Sequence, residues 1–176
     1  MPYRVMTVCL GNICRSPMAE VVLRDRFDAA GLGDDVVVDS SGVSDEETGE
    51  PIDPRAADVL RQAGYAVPEH RAHRVTPHEI GSRDLLLAMT ARHARVLRTL
   101  APDAASAARI RMFRSFDPAA PRTEGPRATA DEAELDVEDP WFGGRDDFVS
   151  VLQQVEAAAD GIVAHVLSEL ERRSAG

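Results

Sequence analysis

Lysine is absent from the 176-residue chain, cysteine occurs only twice, and no apolar run approaches the ~20 residues that cross a bilayer. Two cysteines cannot form the disulfide framework of a secreted scaffold. The 30 acidic residues outnumber the basic ones by ten, and the net charge of −10 disfavours nucleic acid and anionic membranes as partners. Abundant alanine, with arginine as the sole long basic residue, is typical of a GC-rich bacterial genome. No signal peptide is recognisable, so a cytoplasmic protein is predicted.

Four short apolar runs, each typical of a buried strand, alternate with helical patterns. The runs cover residues 3–8, 36–38, 85–89 and 110–113. Helices between consecutive strands imply parallel strands that are covered on both faces. The sequence therefore predicts an α/β fold with a four-stranded parallel sheet and helices on both faces.

The predicted helices carry start and stop signals. Ser16-Pro17 and Asp53-Pro54 each place a capping side chain before a proline, and Gly31 and Gly64 stand where these two helices should end. A third helix is predicted over residues 91–100.

The last predicted helix, over residues 146–172, has the clearest pattern. Apolar residues recur at helical spacing, namely Phe148, Leu152, Val155, Ala159, Ile162 and Val166. Gly161 is expected to weaken this helix slightly.

The length of the chain suits one hydrophobic core, so a single domain over residues 1–176 is predicted. Within it, residues 117–139 form a long polar loop, rich in proline and acidic residues, and such loops are usually functional or mobile.

The first strand leads into a loop with the chemistry of a phosphate site. Cys9 is followed by five residues, then by Arg15 and Ser16, where a helix begins. A tight loop at a helix N-terminus gathers backbone N–H groups around one point, which suits a phosphate dianion and stabilises a thiolate. Arg15 can offer paired donors to two phosphate oxygens, and Ser16 can donate a hydrogen bond to the Cys9 thiolate.

Other interpretations of this loop fit less well. A single cysteine after a strand is usually a small core residue, and a single arginine is usually solvated, but the combination at this spacing is distinctive. The chain has neither the G-x-x-x-x-G-K-[ST] motif nor G-x-G-x-x-G. Cys9 and Cys14 could contribute to a zinc site, yet no second Cys or His pair completes it. The five histidines also match no ligand spacing, so no metal site is predicted.

Residues 8–20, VCLGNICRSPMAE, resemble the signature of the low-molecular-weight protein tyrosine phosphatases. Ser40-Ser41-Gly42, residues 53–56 and 70–72, and Asp139-Pro140-Trp141 are similar to further family segments, so the resemblance covers most of the chain. The resemblance implies hydrolysis of protein phosphotyrosine and small aryl phosphates through a phosphocysteine intermediate, with no metal or cofactor.

The resemblance also implies roles for individual residues. Cys9 is the expected nucleophile, Arg15 stabilises the transferred phosphoryl group, and Asp139, carried by the 117–139 loop, acts first as acid and then as base. The phosphate-binding residues are expected to be Leu10, Gly11, Asn12, Ile13, Cys14 and Ser16. Asn12 should hold the loop's shape by side-chain hydrogen bonds, with Ser40 and His70 as supports, and Trp141 and Phe142 should form a pocket wall.

Cys14 has two interpretations that the sequence leaves equally open. In the family that it resembles, a second loop cysteine can form a disulfide with the nucleophile under oxidation, which prevents oxidation to sulfinic acid. Alternatively, Cys14 only fills the underside of the loop.

Residues 43–49 depart from the family's pattern. Many bacterial members carry Trp-His or another aromatic residue shortly after the Ser-Ala-Gly segment, where it helps to form the phosphotyrosine pocket. Here Asp45, Glu46 and Glu47 stand in this stretch, so stacking is lost and acidic peptides should be repelled. This departure concerns the recognition of the tyrosine ring and not the phosphatase chemistry. The sequence leaves open whether Glu46 and Glu47 shape the pocket or point away.

Three rival functions share parts of this pattern. A protein arginine phosphatase is similar in fold but has a small threonine where Ile13 stands. An arsenate reductase coupled to thioredoxin needs a further cysteine, and none follows Cys14. A phosphate-binding module without turnover needs neither the Cys9 nucleophile nor the Asp139 acid. The expected protein is a monomer that acts on phosphotyrosine-containing proteins, with no nucleic-acid or membrane partner.

Overall fold

The computed structural model describes residues 1–123 and 131–176 and contains one parallel sheet within those ranges. Its strands are β1 (Tyr3–Cys9), β2 (Val36–Gly42), β3 (Leu85–Ala88) and β4 (Ile110–Met112). They pair in the order β2-β1-β3-β4, and every pairing is parallel. The predicted four-stranded parallel sheet is confirmed.

The helices of the described residues lie between or after the strands. They are α1 (Arg15–Ala29), α2 (Pro54–Gln62), α3 (Pro77–Ser82), α4 (Ala91–Leu100), α5 (Ala104–Ala107) and α6 (Arg145–Ser174). Short 3₁₀ helices occupy Phe113–Phe116 and Glu132–Leu135. Within these same ranges, no helix has the length and apolar character needed to cross a membrane. The prediction missed α3, α5 and the 3₁₀ helices, all of six residues or fewer.

Two hydrophobic cores lie on opposite faces of the sheet. Along β1, Val5 and Cys9 belong to the core shared with α1, α2 and α6, whereas Met6 and Val8 belong to the core shared with α3 and α4. A strand buried on both faces reads as a continuous apolar run, which is how β1 and β3 appear in the sequence. The prediction of helices on both faces is therefore confirmed.

The prediction that Ser16 caps α1 is wrong. The helix begins at Arg15, its N-cap is Cys14, and no side chain makes a capping hydrogen bond there. Ser16 lies inside the first turn with its hydroxyl 3.0 Å from the Cys9 thiol. The loop needs this hydroxyl beside the thiol, and the helix therefore begins two residues earlier than the capping pattern indicates.

The remaining predicted helix signals agree with the structure. Asp53 caps α2 by accepting a hydrogen bond from the Arg55 N–H at 2.8 Å. Gly31 and Gly64 follow the ends of α1 and α2 with φ values of 74° and 94°, which side chains rarely tolerate.

Helix α6 buries the predicted apolar stripe against the sheet and its neighbours. All six residues of that stripe are buried: Phe148, Leu152, Val155, Ala159, Ile162 and Val166. Gly161 has a packing role that its sequence position does not reveal. A Cβ at this position would overlap the carbonyl oxygen of Phe116, so the glycine permits close approach of the 3₁₀ helix Phe113–Phe116.

Only part of the predicted 117–139 loop can be compared, because residues 124–130 lie outside the described ranges. Its second half is anchored against the sheet. Leu135 and Val137 are fully buried, and the Val137 N–H donates to the Met89 carbonyl just beyond β3 at 2.8 Å. This anchoring brings Asp139 to the carboxyl edge of the sheet.

Candidate active site

The loop between β1 and α1 is held by Asn12, which adopts a left-handed backbone conformation with φ 60°. Its side-chain amide donates to Ser16 Oγ and Ser40 Oγ, each at 2.9 Å, and its Oδ1 accepts from the His73 N–H at 3.1 Å. His70 Nε2 donates to the Asn12 carbonyl at 2.6 Å. A non-glycine residue with positive φ is strained, and these contacts stabilise it. The structure thus places Asn12, Ser40 and His70 around the loop.

Behind Ser40 lies a buried carboxylate that the sequence analysis did not single out. Ser40 Oγ donates to Glu20 Oε2 at 2.5 Å, and Arg24 Nη2 pairs with Glu20 Oε1 at 2.6 Å. Glu20 is only 9% exposed, and burial of a carboxylate is costly unless it is paired. A glutamate directly before Val21-Val22, one turn after Ser16, is the sequence signal that could have revealed it.

The Cys9 thiol is 2% exposed and sits among hydrogen-bond donors. The Asn12 N–H donates to Cys9 Sγ at 3.3 Å, and Ser16 Oγ lies 3.0 Å from the sulfur. Ser16 Oγ is also 3.2 Å from the Ser41 carbonyl, so its single proton can go to either acceptor. When the hydroxyl hydrogen points to the sulfur, Cys9 Sγ accepts two hydrogen bonds, one from Ser16 and one from the Asn12 N–H.

Arg15 connects the phosphate loop to the segment that contains Val137 and Asp139, although Arg15 and Asp139 are 124 positions apart in the sequence. Its Nη1 donates to the Val137 carbonyl at 3.0 Å, and its Nη2 donates to Asp139 Oδ2 at 2.9 Å. The guanidinium is buried, and its Nε has no partner among the described residues. A buried donor normally has an acceptor, so the Nε–Nη2 edge is suited to an incoming anion.

A cavity of about 250 Å³ opens onto these groups. It is lined by Cys9, Leu10, Gly11, Ile13, Cys14, Arg15, Glu46, Glu47, Asp139, Trp141 and Phe142. The predicted nucleophile, acid and aromatic wall therefore meet in one place. Asn12 and Ser16 do not line it and are fully buried, so Asn12 and Ser16 support the loop from below.

The two predicted wall aromatics differ in how firmly they are held. Trp141 is 40% exposed, and the Arg55 guanidinium lies over its ring at 5.6 Å and donates to its carbonyl at 3.1 Å. Phe142 is 97% exposed. Arg55 is itself fixed by Asp53: burial would raise the pKa of Asp53, but the hydrogen bonds from Arg55 outweigh it and lower that pKa. In the sequence this segment shows only a family resemblance, and its support of Trp141 is visible only in the structure.

Two buried titratable groups, Cys14 in the phosphate loop and His93 in α4, have shifted pKa values. Burial raises the pKa of the Cys14 thiol, and the nearby Asp53 and Cys9 raise it further. His93, in the first turn of α4, is 3% exposed, and its Nδ1 has no partner among the described residues. Burial lowers the pKa of His93 to about 3, and the charges of Arg15 and Arg92 contribute. At neutral pH, Cys14 is therefore a thiol and His93 is uncharged.

Comparison with known proteins agrees with this geometry. The family model for low molecular weight phosphotyrosine protein phosphatase matches residues 4–173. A low molecular weight protein-tyrosine-phosphatase of Streptomyces coelicolor is 45% identical over 99% of this chain and 100% of its own length. Low molecular weight protein-tyrosine phosphatase A of Mycobacterium tuberculosis is 43% identical over 97% of this chain and 96% of its own length.

A solved structure gives the same result. The crystal structure of a protein tyrosine phosphatase from Entamoeba histolytica superposes with a TM-score of 0.81 at 25% identity, covering 95% of this chain and 98% of that one. The match to the family model spans the β1–α1 loop, the Asp139 segment and nearly all of the fold between and around them. The chain therefore belongs to the low-molecular-weight protein tyrosine phosphatase family.

Proposed function

We propose that this protein is a metal-independent phosphatase that hydrolyses protein phosphotyrosine and small aryl phosphates through a phosphocysteine intermediate. One observation carries the proposal. Cys9 Sγ, the unpartnered Nε of Arg15 and the Asp139 carboxylate meet at a single cavity, which is the set needed to attack, hold and protonate a phosphate ester. A domain that only binds phosphate has no need of the nucleophile or the acid.

In the first step the Cys9 thiolate attacks phosphorus, an S–P bond forms, and the P–O bond to the leaving group breaks. Arg15 and the loop N–H groups take up the charge on the phosphoryl oxygens. Asp139 must be protonated to give its proton to the leaving oxygen. Because protonation also weakens its ion pair with Arg15, the same event frees the Nη2 donor for phosphate.

In the second step water attacks the phosphocysteine, and the Asp139 carboxylate takes a proton from that water. The S–P bond breaks and inorganic phosphate leaves. Ser16 Oγ, 3.0 Å from the sulfur, can donate a hydrogen bond to the departing thiolate and make it a better leaving group. Its alternative acceptor, the Ser41 carbonyl, then loses that hydrogen bond.

Phosphotyrosine is the favoured substrate because the cavity includes Trp141 and Phe142, which can contact a phenyl ring. Ile13, also in the lining, keeps the loop side of the cavity apolar. A cytoplasmic location, a bacterial source, a single domain and a monomeric state stay predictions from the sequence.

The test compares wild type with Cys9→Ser, Asp139→Asn and Glu138→Gln on para-nitrophenyl phosphate and phenyl phosphate, with EDTA present. We expect no turnover from Cys9→Ser and a loss of about 10²–10⁴-fold in kcat for Asp139→Asn. That loss should be greater with phenyl phosphate, whose leaving group is the stronger base and needs the proton more. Glu138→Gln, the exposed neighbouring acid, should resemble wild type.

Two results would contradict the proposal. Wild type that binds vanadate but turns over neither ester would be a phosphate-binding module. A Glu138→Gln variant as slow as Asp139→Asn would take the acid role away from Asp139.

A further inference from the structure

Residues 43–50, here called the acidic rim, are attached to the phosphate loop by backbone hydrogen bonds. The Val43 N–H donates to the Cys9 carbonyl and the Ser44 N–H donates to the Leu10 carbonyl, each at 3.0 Å. The rim therefore begins directly on the loop that carries the nucleophile, and its position is fixed by the same backbone.

The far end of the acidic rim is fixed as well. The Gly49 N–H donates to the Ala72 carbonyl at 2.8 Å, and the Ala72 N–H donates to the Glu50 carbonyl at 2.9 Å. Between the two ends, Ser44 Oγ accepts from the Glu46 N–H at 3.2 Å. A segment with both ends and its turn hydrogen-bonded holds its side chains at defined places.

Glu46 and Glu47 both line the active-site cavity. The side chain of Glu47 lies over the loop so closely that a Cβ added to Gly11 would be 3.0 Å from Glu47 Cγ. The question that the sequence left open, whether these glutamates shape the pocket, is answered by their place in the cavity wall.

The charges of these two glutamates are not compensated. Asp45 lies 3.8 Å from Arg74, and Asp139 pairs with Arg15. Glu46 and Glu47 have no side-chain hydrogen bond or ion pair within residues 1–123 and 131–176. A cationic group on a bound molecule would therefore find two free carboxylates at the cavity.

The same cavity also contains a feature that points to an anion. Arg15 is buried, and its Nε is unpartnered in the described part of the chain. A ligand that satisfies both features carries a phosphate for Arg15 and positive charge beside it for Glu46 and Glu47. An acidic flank would instead meet like charge at short range, which is unfavourable.

We propose that Glu46 and Glu47 are specificity-determining residues that select phosphotyrosine flanked by arginine or lysine. This inference rests on the proposed function and names the substrate class of the same site. The net charge of −10 acts in the same direction, because it attracts basic segments over a longer range.

The experiment measures kcat/KM for two phosphotyrosine peptides that differ only in having arginine or glutamate on either side of the phosphotyrosine. Wild type is compared with the double variant E46Q/E47Q and with E69Q/E171Q, which removes two exposed glutamates elsewhere. Exposed ion pairs are each worth about 1.4- to 5-fold, so wild type should prefer the basic peptide by about tenfold. The preference should fall to about two- to threefold in E46Q/E47Q, persist in E69Q/E171Q, and shrink at high salt.

Para-nitrophenyl phosphate, which has no flanking residues, distinguishes a failure of the specificity inference from a failure of the proposed function. Its turnover by wild type, together with equal efficiency on the two peptides, would overturn this inference alone. A basic preference that survives unchanged in E46Q/E47Q would overturn it too. No turnover of para-nitrophenyl phosphate would overturn the proposed function and this inference with it.

Discussion

Asn12 shows how much of the site depends on single side chains. It is the one non-glycine residue with positive φ in the described part of the chain, a conformation that costs about 1–3 kcal/mol. Its side chain makes three hydrogen bonds, to Ser16, Ser40 and His73, and each contributes about 1 kcal/mol. Asparagine tolerates the left-handed region better than most residues, so the strain is local and offset within the loop.

The two cysteines should differ sharply in reactivity, although both are buried. Cys9 Sγ lies within hydrogen-bond distance of the Ser16 hydroxyl and the Asn12 N–H. Burial raises the pKa of Cys14, and only the thiolate is a nucleophile. Iodoacetamide at neutral pH should therefore alkylate Cys9 and leave Cys14 as a thiol. Tandem mass spectrometry of the tryptic peptide that contains both residues measures this directly.

The Cys9→Ser variant is the control for that experiment, and it should remain essentially unlabelled. Label found on Cys14 in wild type, at a level similar to Cys9, would contradict the assignment of Cys9 as the activated thiol. The labelling pattern also tests the redox role of Cys14. A Cys14 thiol that stays protonated does not react with the reagent and remains available to form a disulfide once Cys9 has been oxidised.

At the scale of residues, the sequence reveals those parts of the site that are contiguous. Cys9, Arg15 and Ser16 stand in one short segment, so their chemistry can be read together. The backbone carbonyl of Val137 and the backbone N–H of His73 carry no sequence signal, because every residue has these groups. Ser16 was misread as a cap since a capping serine and a thiol-binding serine have the same neighbours in sequence.

At the scale of elements, hydrophobic periodicity predicts only those helices that are long enough to show a repeat. Helices α1, α2, α4 and α6 span enough residues to show the helical period, but α5 has only four. The strands, of which β4 has only three residues, appear instead as short apolar runs. Helix α3 could have been found by another signal: Thr76 and Glu79 form a capping box around its proline start. The Glu132–Leu135 helix also has a capping box, but the polar composition around it favoured a loop.

The contact between α6 and the Phe113–Phe116 helix gives a prediction at this scale. In Gly161→Ala the new Cβ would overlap the Phe116 carbonyl, and relief requires backbone movement, since a carbonyl cannot rotate away as a side chain can. Overpacking costs about 1–3 kcal/mol, and alanine's better helix propensity returns up to about 1 kcal/mol. Urea unfolding should therefore show a loss of free energy of unfolding of about 1–2 kcal/mol.

Ser168→Ala is the matched control, because Ser168 is exposed on the same helix and gains propensity without a clash. It should be neutral or slightly stabilising. A Gly161→Ala protein as stable as Ser168→Ala would mean that α6 and the Phe113–Phe116 helix can separate at little cost.

At the scale of the whole molecule, the strand order assembles the site. The order β2-β1-β3-β4 places β1 between β2 and β3, so the Cys9 loop can contact the acidic rim after β2 on one side. Val137 bonds to Met89 after β3, which brings Asp139 in from the other side. Parallel patterning predicts that strand ends share an edge, but it does not specify which strands are neighbours. The sequence therefore does not predict that these three segments meet, and only the structure reveals it.

The pH dependence of stability should reflect the buried His93. Its pKa is lowered to about 3, by burial first and then by Arg15 and Arg92, while an unfolded histidine titrates near 6.5. Between these values the unfolded chain binds a proton that the folded chain does not. The contribution of His93 to the free energy of unfolding is therefore fully present above pH 6.5 and is lost as the pH decreases from 6.5 towards 3. From pH 7.5 to pH 5.5, His93 should remove about 1 kcal/mol of the free energy of unfolding.

In His93→Gln that part of the pH slope should disappear, whereas His78→Gln, at an exposed histidine, should keep it. His165, whose pKa burial also lowers, leaves a residual slope of the same sign in both variants. Urea unfolding at the two pH values gives the slopes, and an unchanged slope in His93→Gln would mean that His93 gains a proton in the folded protein within this range.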